Sequence, residues 1–464
     1  MSGIFGDNMV LQQHTTARLW GWADPGKTVT VVPSWSGREV AAKADGTGKW
    51  SLTVDTPAGE IGKAHTIEIS DGEKLILSNV YIGEIWICSG QSNMQIALRT
   101  IRTSDSEYTL HPILTSGNYR DRIRFATIPL NASETPVDNI ETKWVECTPL
   151  TAPNFSCTAF FFARYLSDAL RVPVGIVSCA WGGARIESFM DEASLKKIPG
   201  VDIAQMAADA KNKPNRMPCN IYNGMISAIK GYTARGFLWY QGESNRHSHT
   251  TYAEMTQRMV ELWRSDWGDS EAKMPFYYVQ IAPYDYPGEG EKSASIPLLV
   301  EAQVKALSLI PNSGLAGTTD LGDRLQIHPM KKEPVGFRLF TLAMAGTYGV
   351  KYITPTGPVC KSFTLEGDKA TIMFENAPAG FMPDAQSIRG FEVAGDDKVF
   401  HPADKIRFSK DRKSITVGCS KVAKVASVRY AYNNVPDANL SNTYGLPAFP
   451  FRTDTWELQG KIIE

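Results

Sequence analysis

Between residues 80 and 350 the sequence alternates short, almost purely apolar runs with longer stretches of helical period. No other feature restricts the fold as much. Residues 80–89 are nearly continuous in apolar side chains, the pattern of a strand buried on both faces. Residues 158–170 place Phe161, Phe162, Tyr165, Leu166 and Leu170 near helical spacing, and residues 174–180 form a second buried strand. The series continues with a helix at 222–229, a strand at 236–240, a helix at 252–267 and a strand at 276–281. A helix at 297–309, a strand at 315–320 and a helix at 335–348 complete it. Such alternation predicts an α/β fold, with a doubly wound, mostly parallel sheet covered on both faces by helices.

The flanks read differently. Before residue 80, strand-like segments at 17–23, 28–35 and 50–54 are separated by Asp24-Pro25-Gly26, Ser36-Gly37 and Asp45-Gly46-Thr47-Gly48, the spacing of a small β-sandwich. After residue 351, segments at 371–374, 390–393, 405–408, 414–417 and 427–432 alternate between Gly, Asp, Asn and Lys turns. A chain of 464 residues exceeds what one core supports. The expected division is an N-terminal β-sandwich-like domain over 1–80, an α/β catalytic domain over 81–350 and a C-terminal β domain over 351–464.

Composition narrows the function by exclusion. The formal net charge of −1 gives no support to a nucleic-acid or anionic-membrane partner. No apolar run reaches the roughly 18 residues that a membrane span needs. The opening Met-Ser-Gly-Ile-Phe-Gly-Asp lacks the basic start and apolar stretch of a signal peptide. We expect a secreted or periplasmic protein whose signal has been removed, with the cytoplasm as the alternative. The seven cysteines (Cys88, Cys147, Cys157, Cys179, Cys219, Cys360 and Cys419) are scattered, without metal-ligand spacing. Their odd number argues against a full disulfide framework and is compatible with a single bridge.

Four blocks carry candidate chemistry. Ile85-Trp86-Ile87-Cys88-Ser89-Gly90-Gln91-Ser92-Asn93-Met94 ends an apolar strand in a serine. Ligands of open α/β sheets sit beyond the carboxyl ends of the strands, and a serine there can aim its own N–H at a developing oxyanion. Alone, the block is more often a helix N-cap. Residues 177–187 end a second strand in Gly182-Gly183, where the absence of a Cβ lets a backbone N–H approach a substrate; a plain turn looks the same. Residues 238–245 gather Gln241, Glu243 and Asn245 after a third strand, and a buried amide there could serve an oxyanion. Residues 320–329 leave the fifth strand and present His328 before a long helix; a neutral imidazole can take a serine proton and return it to the leaving group. Each block is weak by itself. Together they put four polar devices at successive strand ends of one sheet.

These blocks resemble the SGNH-type hydrolases, and within them the sialate O-acetylesterase family. The resembling segments are 88–94, 178–187, 239–245 and Ile327-His328-Pro329 followed by Lys332 and Gly336. Asp7-Asn8-Met9-Val10-Leu11-Gln12-Gln13, Trp20-Gly21-Trp22-Ala23 and residues 428–432 and 445–452 extend the likeness over nearly the whole chain. The resemblance implies a serine carboxylic-ester hydrolase with Ser92 as nucleophile and His328 as base. Its oxyanion hole would be built from the N–H of Ser92 and of Gly183 or Gly182, with Gln241 or Asn245 as third donor. Gln91, Trp181, Arg185, Glu243 and Arg246 are candidate substrate-binding residues. Related hydrolases often carry an aspartate two or three residues before the histidine, where this chain has Leu325 and Gln326. The imidazole would then be oriented by Asp323, by Asp320, or by a group that is not a carboxylate, such as Gln326 or a backbone carbonyl.

The implied reaction is hydrolysis of sugar acetyl esters through an acetyl-enzyme, with no metal and no organic cofactor. O-acetylated sialic acid is the substrate implied first, acetylated xylan the alternative. A sialate carboxylate would call for a cation, and Arg185 and Arg246 are the candidates, though each is more often structural or solvated in such a place. A different class of function is a catalytically inactive carbohydrate-binding protein, with Trp35 and Trp50 stacking on sugars; such residues are more often sandwich core. His247 and His249 could line the cleft, and His401-Pro402 repeats the His-Pro pair without a helix behind it.

Overall fold

Seventeen consecutive residues, Lys74–Gly90, form one strand whose character changes midway. Its first part leaves Leu75 and Ile76 exposed, whereas every residue from Val80 to Gly90 is buried. The first part pairs antiparallel with His65–Ser70, and the second runs parallel to Val174–Ala180 and Gly236–Tyr240. Asn79, with φ near 55°, marks the change, and its side-chain amide donates to Asn8 and Glu146. Residue 80, the expected end of the N-terminal region, lies inside this strand.

The computed structural model describes residues 1–102, 105–290 and 293–458. The chain forms two compact units, one of Met1–Gln241 with Met255–Phe276, the other of Gly242–Glu254 with the residues from Tyr277 onward. The fold is mixed α/β, with a mostly parallel central sheet and additional antiparallel sheets. In the first unit the strand order is Gly236–Tyr240, Lys74–Gly90, Val174–Ala180, Ile123–Thr127, Trp144–Glu146, the last joined antiparallel. Val10–Gln12 adds a parallel partner to Tyr81–Gly83. Antiparallel pairs Thr28–Pro33 with Val40–Lys43 and Thr15–Trp22 with Lys49–Thr56 build the N-terminal β region.

Burial explains why these runs hold. Ile85, Trp86 and Ile87 are fully buried, and each such side chain contributes about 1.5–3 kcal/mol relative to exposure. The helix Cys157–Leu170 starts where the Ser156 hydroxyl accepts from the Ala159 N–H and ends where Arg171 turns left-handed. Its Phe162 meets Trp86 edge-on at 5.2 Å. The buried carboxylate of Glu84 is met by the Arg235 guanidinium at 2.8 and 2.9 Å, the pairing that a desolvated charge requires. Trp50 is core, and Trp35 is half-buried, with its indole N–H on the Asp55 carbonyl at 2.8 Å.

In the second unit the strands Phe276–Val279 and Ser313–Ala316 lie side by side, with the helices Ser295–Leu309 and Glu333–Gly346. The expected strand at 315–320 stops at Ala316, because Thr318 and Thr319 hydrogen-bond the Gln280 side chain instead of continuing a ladder. Two four-stranded antiparallel sheets follow, around a core that includes Ile372, Phe381, Val393, Ile415 and Val428. In the first unit, the helix expected at 222–229 is a π turn over Tyr222–Ile226 continued by Ser227–Ile229. All seven cysteines are free thiols. Among the described residues no helix is long and apolar enough to cross a membrane, and no three metal-capable side chains gather.

Candidate active site

Three strand ends of the first unit finish level. Gly90 is in register with Ala180 on one side and Tyr240 on the other. The packing is so close that a Cβ at Gly90, whose φ is near 135°, would lie 2.2 Å from the Tyr240 carbonyl oxygen. The Gln91 N–H donates to Tyr240 O at 2.9 Å and the Trp181 N–H to Gly90 O at 3.0 Å. Directly beyond this lock Ser92 opens the short helix Ser92–Gln95. Ser92 is partly open, whereas Gln91, Asn93 and Met94 are buried. The hydroxyls of Ser156 and Thr158 hold the helix from below, donating to the Met94 and Asn93 carbonyls at 2.6 and 3.2 Å.

The turn after Ala180 faces this serine. A Cβ added at Gly182 would stand 3.5 Å from the Ser92 Cβ. The Gly182 N–H donates to Gln95 Oε1 at 2.7 Å, while its carbonyl accepts from Asn215 Nδ2 at 2.6 Å. Gly183 adopts φ near 74°, and its carbonyl accepts from Arg216 Nε at 3.2 Å. Gln241, fully buried, donates from Nε2 to Ala184 O at 3.1 Å. Arg185 Nη1 lies 3.7 Å from the buried Glu187 carboxylate. Trp181 is half-buried. Gln95, Asn215 and Arg216 are not among the residues that the sequence singles out; only Gln95 carried a signal, standing three residues after Ser92 and directly after its block.

The remaining candidates belong to the second unit. Gly242 has φ near 153°, and a Cβ there would sit 2.6 and 2.7 Å from Ile281 and Leu299 side chains, so only glycine lets the chain turn into Glu243–Ser248. Glu243 and Asn245 are buried. Arg246 donates from Nε to Glu289 Oε1 at 2.8 Å, with its guanidinium 4.0 Å from the Tyr286 ring centroid. Glu289 also receives Ser293, Ser295 and Asn434, and lies 3.1 Å from His247 Nε2. His401 sits in a β pairing with Val393.

His328 is half-buried in the irregular stretch 317–332. Burial first, and the Lys332 ammonium second, hold its imidazole below the ordinary histidine range. The two nearby carboxylates are engaged elsewhere. Asp320 forms a bidentate pair with Arg338 at 2.7 and 2.6 Å. Asp323 accepts the N–H groups of Leu325 and Gln326 at 2.8 and 3.1 Å, a local cap. Gln326 is exposed.

A family model described as carbohydrate esterase, sialic acid-specific acetylesterase, matches residues 82–339. The sialate O-acetylesterases of Mus musculus and Homo sapiens are each 28% identical to this chain, over 415 and 405 residues. These alignments cover 77% and 80% of this chain and 75% of each relative. Among solved structures, a carbohydrate acetylesterase from Xanthomonas citri aligns with a TM-score of 0.87 and 32% identity, covering 98% of this chain and 99% of that one. The protein is therefore an ester hydrolase and belongs to the sialic acid-specific acetylesterase family of carbohydrate esterases.

Proposed function

We propose that the chain hydrolyses acetyl esters of sugars, O-acetylated sialic acids first among them, with Ser92 as nucleophile and His328 as base. The observation that carries this reading is the level finish of three strands at Gly90, Ala180 and Tyr240, with Ser92 opening a helix immediately beyond. His328 takes the hydroxyl proton as Ser92 attacks the acetyl carbonyl, then returns it to the departing sugar oxygen. Water releases acetate by the reverse route. Gly183 or Gly182 supplies the oxyanion donor beside the Ser92 N–H, and the Gly182 N–H is the one that also meets Gln95. Gln241, which also braces Ala184, or Asn245 supplies the third donor. One such donor is worth about 3–4 kcal/mol of barrier.

Since Asp320 and Asp323 are occupied, the imidazole is oriented by a group that is not a carboxylate of its own loop. For a sialate carboxylate, Arg185 is a better partner than Arg246, which is bound to Glu289 and stacked on Tyr286. The level strand ends also support a doubly wound, SGNH-hydrolase-like sheet over 81–350, between β-sandwich-like regions at 1–80 and 351–464. Acetate release from a panel of O-acetylated sialic acids and acetylated xylo-oligosaccharides tests the reading. Preference for the sialic acids is expected; release from the xylo-oligosaccharides alone would transfer the assignment to an acetyl xylan esterase.

A further inference from the structure

Within the second unit, four segments distant in sequence close around a cavity of about 450 Å³. They are residues 246–249, residues 289 and 293–298, residues 397–400 and residues 429–458. We infer that this cavity binds uncharged sugar rings of a glycan, at a site other than the acetyl-bearing one; the inference rests on the carbohydrate-esterase reading for its choice of ligand. Its size lies within the range of small-molecule sites.

The wall chemistry is two-sided. Phe400, Tyr432, Trp456 and Leu298 supply apolar surface, and His247 and Ser293 supply polar groups. A pyranose has the matching character, with C–H faces that suit aromatic rings and a rim of hydroxyls that needs fixed partners. Phe400 and Trp456 stand tilted with centroids 5.9 Å apart, forming a corner rather than a closed stack.

The charges argue against an anionic occupant. The two arginines in the cavity lining that could attract a carboxylate or phosphate are already paired. Arg246 is bound to Glu289 at 2.8 Å, and Arg429 is bound to the buried Asp454 at 2.9 and 3.0 Å. The exposed Lys398 lies over the Trp456 ring, 5.5 Å from its centroid, and the carboxylates of Asp397 and Glu457 share the lining. Tyr432 spends its hydroxyl on Glu301 at 2.7 Å, which fixes the ring. The floor is equally fixed, since Glu289 receives Arg246, Ser293, Ser295 and Asn434 together. A site with set walls loses little entropy on binding.

The probes are unacetylated xylohexaose and N-acetyllactosamine, titrated into the whole wild-type protein by calorimetry, with hexagalacturonic acid as the charged comparison. At least one neutral probe is expected to bind, and Trp456→Ala to weaken it at least about tenfold, roughly 1.4 kcal/mol. Hydrolysis of p-nitrophenyl acetate by that variant should stay within about twofold of wild type. Phe400→Leu, which keeps an apolar side chain, should weaken binding in the same direction and guards against a misfolded Trp456 variant. The proposal is overturned if neither neutral probe binds wild type up to about 10 mM. It is also overturned if both variants bind as wild type does, or if hexagalacturonic acid binds better than the neutral probes. Loss of p-nitrophenyl acetate hydrolysis by the wild-type protein would instead count against the esterase reading.

Discussion

The serine and the histidine proposed to act together are held by opposite means. Around Ser92 the backbone does the holding: Gly90 is locked between Ala180 and Tyr240, and the helix starts two residues later, at Ser92. Around His328 no strand or helix helps over 317–332. That stretch is pinned by side chains instead, by Gln280 on Thr318 and Thr319, by Arg338 on Asp320, and by Asp323 on the Leu325 and Gln326 amides. A position set by sheet register tolerates little backbone change. A position set by several separate polar contacts should tolerate losing one.

The largest test removes the reacting groups. Ser92→Ala should lower kcat by roughly 10⁶-fold, and His328→Ala by a comparable factor, with both proteins folded by circular dichroism. Acetate release from purified Ser92→Ala at more than a few per cent of wild type would end the assignment. The next largest effect tests the register. Gly90→Ala forces a left-handed φ and a clash with Tyr240 O, and should cost roughly 3–5 kcal/mol in chemical denaturation. A cost below about 1 kcal/mol would show that the serine side is not as rigidly set as its geometry implies.

This contrast also explains what the sequence could tell. The strands at 174–180 and 236–240 and the serine block were legible because buried parallel strands leave continuous apolar runs, and the residue after such a run is where chemistry gathers. The start of the long strand at Lys74 was missed because Leu75, Ile76 and Ser78 face water beside an antiparallel partner, so the run looked shorter than it is. The strand expected at 315–320 is shorter because Thr318 and Thr319 carry no signal for their bonds to Gln280, some 38 residues earlier. Likewise nothing local announces that Arg338 takes Asp320, or that Glu289 collects partners from two distant segments. Such pairings join residues that only the folded chain brings together.

On the histidine side the effects should be smaller. A carboxylate that orients the imidazole is worth about 10⁴-fold in kcat when neutralised. Asp320→Asn and Asp323→Asn should each lose far less than that. Asp320→Asn should still lower stability by about 1–3 kcal/mol, because Arg338 keeps its buried position with half its partner gone. A loss near 10⁴-fold in either variant, with the fold intact, would identify the missing acid and make the histidine side as singly determined as the serine side.

The smallest effect is a displacement along the pH axis. His328 must be neutral to accept the Ser92 proton, so kcat/KM should rise with pH through the free-enzyme pKa of this imidazole and level off above it. Burial disfavours the imidazolium, and the Lys332 cation adds to that, so the acidic limb should lie below the ordinary value of about 6.5. Lys332→Met removes the charge and leaves the burial. The imidazolium becomes easier to form, the pKa moves up, and the acidic limb moves to higher pH. Activity should therefore fall relative to wild type below the limb and match it near pH 8. Because Lys332 is itself buried, a general loosening of the loop must be separated from the loss of charge. Lys332→Arg keeps the charge and should return the limb toward the wild-type position, whereas a packing defect would not respond to charge. Hydrolysis of p-nitrophenyl acetate across pH 5–8, with chemistry shown to limit kcat/KM, reads the limb directly. A limb that stays in place in Lys332→Met would mean that burial alone sets the imidazole, or that another group is the base.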